Sequence, residues 1–363
     1  MNPSPSRPRA DPPDDGEFLA LLVHHEFLDR ARARALLERV QSDEALDPLL
    51  EEALDRPSAE IARLRRTRCG EEPEVPGFEL ERRLGRGGSA DVWSAQELAS
   101  RRRVALKILR PAVARDPEQL RAFVSEAKLL AELDHPGLVG CQGAARAGET
   151  YLMRLEYLSG ATLLEILDED GPFTEQEALE TVLSVADTLA HLESLGVVHR
   201  DVKPGNVMRT DEGRVVLIDL GFAVALDGGA SSAHAAGTRE YLSPEEARGS
   251  SVADARSDIY SLGVTLFQLL VGRLPHDGED DAELLEQAIF AELDSPELRG
   301  RGVSPHAQYF IEKMMAKDAG DRYQSWRELI EDVGAQLRGR EALQRAPERR
   351  PGRKRSTRRR RSR

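Results

Sequence analysis

Apolar and polar residues change rhythm along this chain, and the rhythm divides it. Over residues 17–66 the apolar positions recur at helical spacing. Leu36, Leu37 and Val40 share one face of a helix over residues 30–40, with Asp29 placed to cap it. Pro48 and Pro57 suit the starts of further short helices. From Phe78 onward the period shortens. Phe78 and Leu80, then Val92 and Trp93, suit strands on either side of a glycine-rich turn. Val104-Ala105-Leu106-Lys107-Ile108-Leu109 reads as a buried strand carrying a single charge. A helical stretch over residues 118–133 and a strand over 151–155 follow. In that strand the pleat sets Arg154 on the face opposite Leu155.

Composition marks off the flanks. Residues 1–16 are rich in Pro, Asp and Ser and are expected to lack structure. Residues 17–70 form a small helical accessory segment, too small to be safely stable alone, and 71–77 a linker. Residues 338–363 carry thirteen of the 51 Lys and Arg but two of the 64 Asp and Glu, so the net charge of −13 conceals an acidic body and a basic tail. Such a block is low in complexity, cannot build a core and is expected to be disordered; it binds polyanions by releasing their counterions. Nucleic acid, anionic lipid or the protein's own acidic surface could accept it. The tail has no aromatic residue to stack on bases, so any such contact is expected to be non-specific. Cys69 and Cys141 are too few for a disulfide framework and fit a reducing compartment. The apolar run over residues 18–23 is short and follows Asp14, Asp15 and Glu17 rather than a basic leader, which argues against a signal peptide. No run approaches the length of a membrane span, so the expected location is cytoplasmic. His24 and His25 are adjacent and do not face one side of a helix, so they make a poor metal pair.

The chemistry concentrates in His199-Arg200-Asp201-Val202-Lys203-Pro204-Gly205-Asn206, followed by Asp219-Leu220-Gly221. The pattern H-R-D-x-K-P-x-N fixes six positions, with a chance probability of about 1 in 10⁷–10⁸ per start position. Asp201 is a candidate base, Lys203 a mobile point charge beside it. Asn206 and Asp219 offer hard oxygens that suit Mg²⁺. Upstream, Leu84-Gly85-Arg86-Gly87-Gly88-Ser89-Ala90-Asp91-Val92 is built to let backbone N–H groups approach phosphate oxygens, since Gly85, Gly87 and Gly88 have no Cβ in the way. Lys107 costs free energy inside an apolar strand unless it is paired. Glu126, in the helical stretch after it, is the candidate partner.

Together these motifs resemble the eukaryotic-type protein kinase family, in its Ser/Thr branch, over roughly residues 78–337. The resemblance implies an α+β, bilobal protein-kinase fold: a small β-rich N-lobe with one helix and a larger α-helical C-lobe, here preceded by the helical segment. It implies ATP and Mg²⁺ as cofactors and protein Ser/Thr hydroxyls as acceptors, with Asp201 as base and Lys203 marking Ser/Thr specificity. It implies that Lys107 is held on the phosphates by Glu126, and that Val92 and Ala105 sandwich the adenine. The hinge falls at Glu156-Tyr157-Leu158, with Leu155 behind the pocket. Ser231, Ser232, Thr238 and Glu245 belong to the activation segment. Thr238 is expected beside Asp201 and Lys203, Glu245 paired with Arg322, and Asp258 bracing the catalytic loop. Arg200 before the base often accompanies control by phosphorylation in this family. The tail residues Ser356 and Thr357 are candidate autophosphorylation sites. Three motifs depart from the family pattern: Leu220 where Phe is usual, Ala90 where a third Gly is usual, and S-P-E for A-P-E.

A pseudokinase scaffold that binds nucleotide and partner proteins is the alternative, and a small-molecule phosphotransferase a more distant one. A scaffold need not keep all of Lys107, Glu126, Asp201, Asn206 and Asp219, and this chain has every one. The Thr238 to Glu245 stretch further resembles a peptide-docking segment.

Overall fold

The structure, a computed structural model, describes residues 14–42, 44–67, 73–221, 224–225, 238–249, 254–276, 278, 280–291, 293, 298, 300 and 302–345. It divides into two compact units, one of residues 1–134 with 139–159, the other of 135–138 with 160–363.

The first unit begins with four short helices, α1 (Asp15–His24), α2 (Arg30–Val40), α3 (Leu46–Leu54) and α4 (Ser58–Arg66). α1 starts inside the stretch expected to lack structure. Its cause is Asp14, whose side chain accepts the Glu17 N–H and so satisfies one of the unpaired donors of the first turn. Asp29 caps α2 in the same way, through the Arg32 N–H. Pro48 lies within the first turn of α3, and Pro57 is the N-cap residue of α4. The helices close on a core of their own, including Phe18, Leu22, Leu36, Leu50 and Ile61. Arg65 ties three of them together. Its guanidinium lies 4.5 Å over the Phe18 ring and pairs with Asp15 at 2.9 Å and Asp47 at 2.6 Å.

The same unit carries a five-stranded antiparallel sheet in the order β1-β2-β3-β5-β4. Its strands are β1 (Phe78–Arg86), β2 (Ala90–Glu97), β3 (Arg103–Leu109), β4 (Cys141–Ala147) and β5 (Thr150–Glu156). After β3, the short α5 (Pro111–Ala114) leads into α6 (Pro117–Glu132), capped by Asp116. The register pairs Val92 with Lys107, Ala105 with Leu155, and Lys107 with Met153. Because side chains alternate along a strand, these residues share one face. Trp93, Ala95, Val104, Leu106 and Ile108 take the other and build the sheet's apolar cluster. Arg154 stands on that second face, away from Leu155 as the alternation requires. It ion-pairs with Glu97 at 2.7 Å.

The second unit is mostly helical. β6 (Gly160–Thr162) is followed by α7 (Leu163–Asp170) and α8 (Glu175–Ser194), each opened by a capping box, Thr162 with Glu165 and Thr174 with Glu177. Short strands β7 (Val197–Val198), β8 (Val207–Thr210), β9 (Val215–Leu217) and β10 (Val224–Ala225) frame the loops that carry the candidate chemistry. α9 (Pro244–Ala247) and α10 (Ala255–Val271) follow, then α11 (Asp281–Phe290) and the helices Pro305–Met314 and Trp326–Arg345, the last of which runs on into the first residues of the stretch expected to be a disordered tail. α10 is buried along nearly its whole length, including the polar stripe Ser257, Ser261, Thr265 and Gln268, whose side chains find hydrogen-bond partners inside the unit. Gly263 lets it approach the helix Pro305–Met314 closely: a Cβ there would sit 2.8 Å from the Cβ of Met314. Among the described residues no helix is long and apolar enough to cross a membrane.

Arg322 is the charge this unit is built around. Its side chain is completely buried, and it grips Glu245 with both terminal nitrogens at 2.8 Å. Its remaining donors reach the carbonyls of Ala316, Arg256 and Lys317, and its guanidinium stacks 5.0 Å over Tyr260. Burial alone would raise the Glu245 carboxyl. The hydrogen bonds and charge of Arg322, with the Ser257 hydroxyl, overcome that and bring it down to about 2. A carboxyl that titrates lower folded than unfolded stabilises the fold above its ordinary range, and loses that contribution as pH falls towards the folded value. Urea midpoints of the full chain should therefore fall between pH 4.5 and pH 2, and fall less in Glu245→Gln. At neutral pH Glu245→Gln should cost about 3 kcal/mol, because Arg322 keeps its charge without its counterion. Equal pH profiles for the two proteins would show that this pair does not set the acid limb.

Candidate active site

In the first unit, Lys107 is held. Its Nζ donates to Glu126 Oε1 of α6 at 2.6 Å, with both side chains largely buried. The helix spacing of α6 delivers Glu126 because it falls on the same face as the buried Phe123, Ala127 and Leu130. Val92 and Ala105 lie on the Lys107 face of the sheet, Ala105 buried and Val92 half-buried. At the end of β5, the Glu156 N–H donates to the Gly140 carbonyl at 2.7 Å, and Leu158 is buried.

The glycine-rich turn joins β1 to β2. Gly85, Gly87 and Gly88 are exposed, whereas Ala90 is buried in β2 opposite Leu109. Its methyl group thus belongs to the sheet, and the substitution for glycine leaves the exposed part of the turn untouched. At Gly87 the missing Cβ matters, since one would stand 2.9 Å from the Ala90 carbonyl oxygen. Arg110, just past β3, clamps this turn from three directions. Its backbone N–H reaches Ser89 O at 2.9 Å, Nη2 reaches Asp91 Oδ1 at 2.9 Å, and Nη1 reaches the Gly88 carbonyl at 3.3 Å. Sequence reasoning missed Arg110. An arginine directly after a strand has no period or spacing to mark it.

In the second unit, Asp258 of α10 organises the stretch that begins at His199. Its carboxylate accepts the His199 N–H at 2.8 Å and the Arg200 N–H at 2.7 Å. Burial pushes this carboxyl up to about 7, with the two N–H donors pulling the other way. Arg200 takes a left-handed backbone, φ 66°, which turns the chain so that Asp201 follows on the inside. Every oxygen of Asp201 is engaged. Lys203 Nζ and Asn206 Nδ2 each donate to Oδ2 at 2.7 Å, and the N–H and hydroxyl of Thr238 both reach Oδ1 at 3.2 Å. Lys203 also donates to the Thr238 hydroxyl. The buried His199 accepts the Asp201 N–H. Burial disfavours its protonation, against the opposing pull of the neighbouring Asp201 and Asp219 carboxylates. One imidazole thus lies in the field of both acids.

Asn206 also donates from Nδ2 to the Asp201 carbonyl at 2.8 Å. Both its hydrogens are thereby used, and its Oδ1 has no hydrogen-bond partner among the described residues. Asp219 opens its own turn, accepting the Gly221 N–H at 3.0 Å, and Leu220 beside it is buried. Among the described residues no group of three or more His, Cys, Asp or Glu forms a metal cluster. Mg²⁺ carried on phosphates asks for less, one or two protein oxygens, and Asn206 with Asp219 fits that donor set. Glu245 lies in α9, bound to Arg322 as described above. Ser231, Ser232, Cys69, Ser356 and Thr357 fall outside the described residues.

The family model described as protein kinase domain matches residues 78–333. Serine/threonine-protein kinase PknB of Mycobacterium leprae is 37% identical over 263 residues, covering 70% of this chain and 42% of that protein. Serine/threonine-protein kinase PrkC of Bacillus subtilis is 36% identical over 259 residues, covering 70% of this chain and 40% of the other. The chain thus matches about two-fifths of the length of these relatives. The matched span contains the whole β-sheet, the Lys107–Glu126 pair and the Asp201 network. The chain belongs to the protein kinase family.

Proposed function

We propose that this chain is a Ser/Thr protein kinase that moves the γ-phosphoryl of Mg-ATP to protein hydroxyls, including its own. The observation that carries this reading is the Asp201 carboxylate, held at once by Lys203, Asn206 and Thr238. A carboxylate fixed this way accepts a proton from an alcohol at one defined place. Thr238, hydrogen-bonded to both Asp201 and Lys203, marks where such a hydroxyl fits.

Phosphoryl transfer asks protein mainly for positioning and charge neutralisation. Mg²⁺, when bound, spreads the negative charge of the phosphates. Asn206 Oδ1 and the Asp219 carboxylate would hold it. Lys107, kept straight by Glu126, would meet the α- and β-phosphates. The exposed N–H groups of Gly85, Gly87 and Gly88 would cover them, with Arg110 limiting the turn's excursions. Val92 and Ala105 would flank the adenine, and the backbone at Glu156 and Leu158 would read its edge. Lys203 would stand beside the transferring group as Asp201 takes the acceptor's proton. Ser231, Ser232, Thr238 and Glu245 would form the activation segment.

Residues 78–337 would be the catalytic domain, with 17–70 an accessory helical segment joined by 71–77. The basic residues of 338–363, the first of them on the helix Trp326–Arg345, would contact polyanions. A cytoplasmic location fits this arrangement.

Asp201→Asn should lower kcat by about 10²–10⁴-fold while nucleotide affinity stays nearly constant, because the residue takes a proton and does not grip ATP. Radiolabelled transfer beside nucleotide titration checks this; wild-type turnover in the variant would remove Asp201 as base. Arg110→Ala should raise the KM for ATP about tenfold with little change in kcat, as expected for lost uniform binding. An unchanged KM would mean that the clamp on the glycine-rich turn is inert.

A further inference from the structure

Arg200 directly precedes the base, and its guanidinium is already answered. Its Nε donates to Glu246 Oε1 at 3.2 Å, and the Glu246 side chain is 3% exposed. The other Glu246 oxygen, Oε2, accepts from the Ser243 hydroxyl at 2.9 Å and the Ser243 N–H at 3.3 Å. Glu246 is thus the N3 residue of the capping box that opens α9. One carboxylate therefore joins the catalytic loop to the helix that follows Thr238 and Tyr241. A buried carboxylate with both oxygens committed does not rotate away to suit another partner. Arg200 is held at its other end too, by Asp258 on its N–H, and its backbone is in the left-handed region.

We propose that Glu246 is a positioning residue that supplies, from within the fold, the negative charge that anchors Arg200, so that the catalytic loop is set without a phosphate on the activation segment. The proposal deepens the kinase reading above and rests on it for its kinetic consequence. The carboxylate does what an added phosphoryl group does opposite an arginine: it neutralises the guanidinium and orders the chain that bears it. The Thr238 segment is tied in through the same residue, because the Ser243 cap sits five residues downstream of it. Loop and acceptor-side segment then share one fastening, Arg200–Glu246–Ser243, and Asp201 lies between its ends.

The test uses the full chain after phosphatase treatment, with intact mass showing no phosphate, and the variant Glu246→Gln. Glutamine keeps the shape and can still accept from Ser243, so α9 remains capped and the melting temperature should move little. Two quantities are read: kcat and the KM for ATP on a casein acceptor, and amide deuterium exchange over residues 199–206 without nucleotide. The unphosphorylated wild type should turn over within about twofold of its autophosphorylated form. In unphosphorylated Glu246→Gln, kcat should fall about tenfold or more with KM for ATP nearly unchanged, and recover on phosphorylation. Exchange at Arg200 and Asp201 should speed up about tenfold in the variant. A wild type silent until phosphorylated, or a variant with unaltered exchange, would overturn the proposal. Should the wild type transfer no phosphate in either state, the kinase reading fails, and the exchange comparison still decides the clamp.

Discussion

A buried carboxylate that accepts two consecutive backbone N–H groups sets everything near Asp201. Asp258 stands on a helix buried along nearly its whole length and is itself 3% exposed, so it cannot turn towards water. It lowers the cost of burial by gathering donors, those of His199 and Arg200. Holding both at once forces Arg200 into the left-handed region, and that turn delivers Asp201 to Lys203, Asn206 and Thr238. The loop's unusual backbone is stored in the rigid helix beneath it rather than in the loop's own sequence.

The first unit works by the same economy. Lys107 would be an expensive charge in an apolar strand, and Glu126 relieves the cost from a neighbouring helix. The register of β2, β3 and β5 keeps Val92, Ala105 and Lys107 on one face while Trp93 and Leu106 take the other. A slip of one residue would exchange those faces, placing the lysine in the apolar cluster. Packing against that cluster is thus what protects the position of the charge.

Much of this was readable beforehand, for identifiable reasons. A lone charge in a strand announces a partner, so Lys107 pointed to Glu126. Pleat alternation put Arg154 on the face where it stands, although nothing local to it named Glu97. The spacing of Asp201, Lys203 and Asn206 kept all three within one loop, where contact follows from proximity. The clamps of Arg110 on Gly88 and Asp91, and of Arg200 on Glu246, left no such trace. Each depends on residues brought together only by tertiary folding, and an arginine beside a strand or a glutamate in a helix has no period to betray it. The helix from Asp15 was hidden by composition, since the same Asp14 that looks like part of a polar leader is its cap.

Glu245 and Arg322 lie 77 positions apart, and neither is comfortable alone. During synthesis the glutamate emerges first and must wait for its cation, while α10 and its apolar surface are already made. A chain halted before Arg322 would hold a half-built core around an acid with nothing to answer it, a good target for chaperones and proteases. That pair therefore closes only once the chain has been made past residue 322, and a truncation that spares every residue near Asp201 can still leave Glu245 buried without its cation.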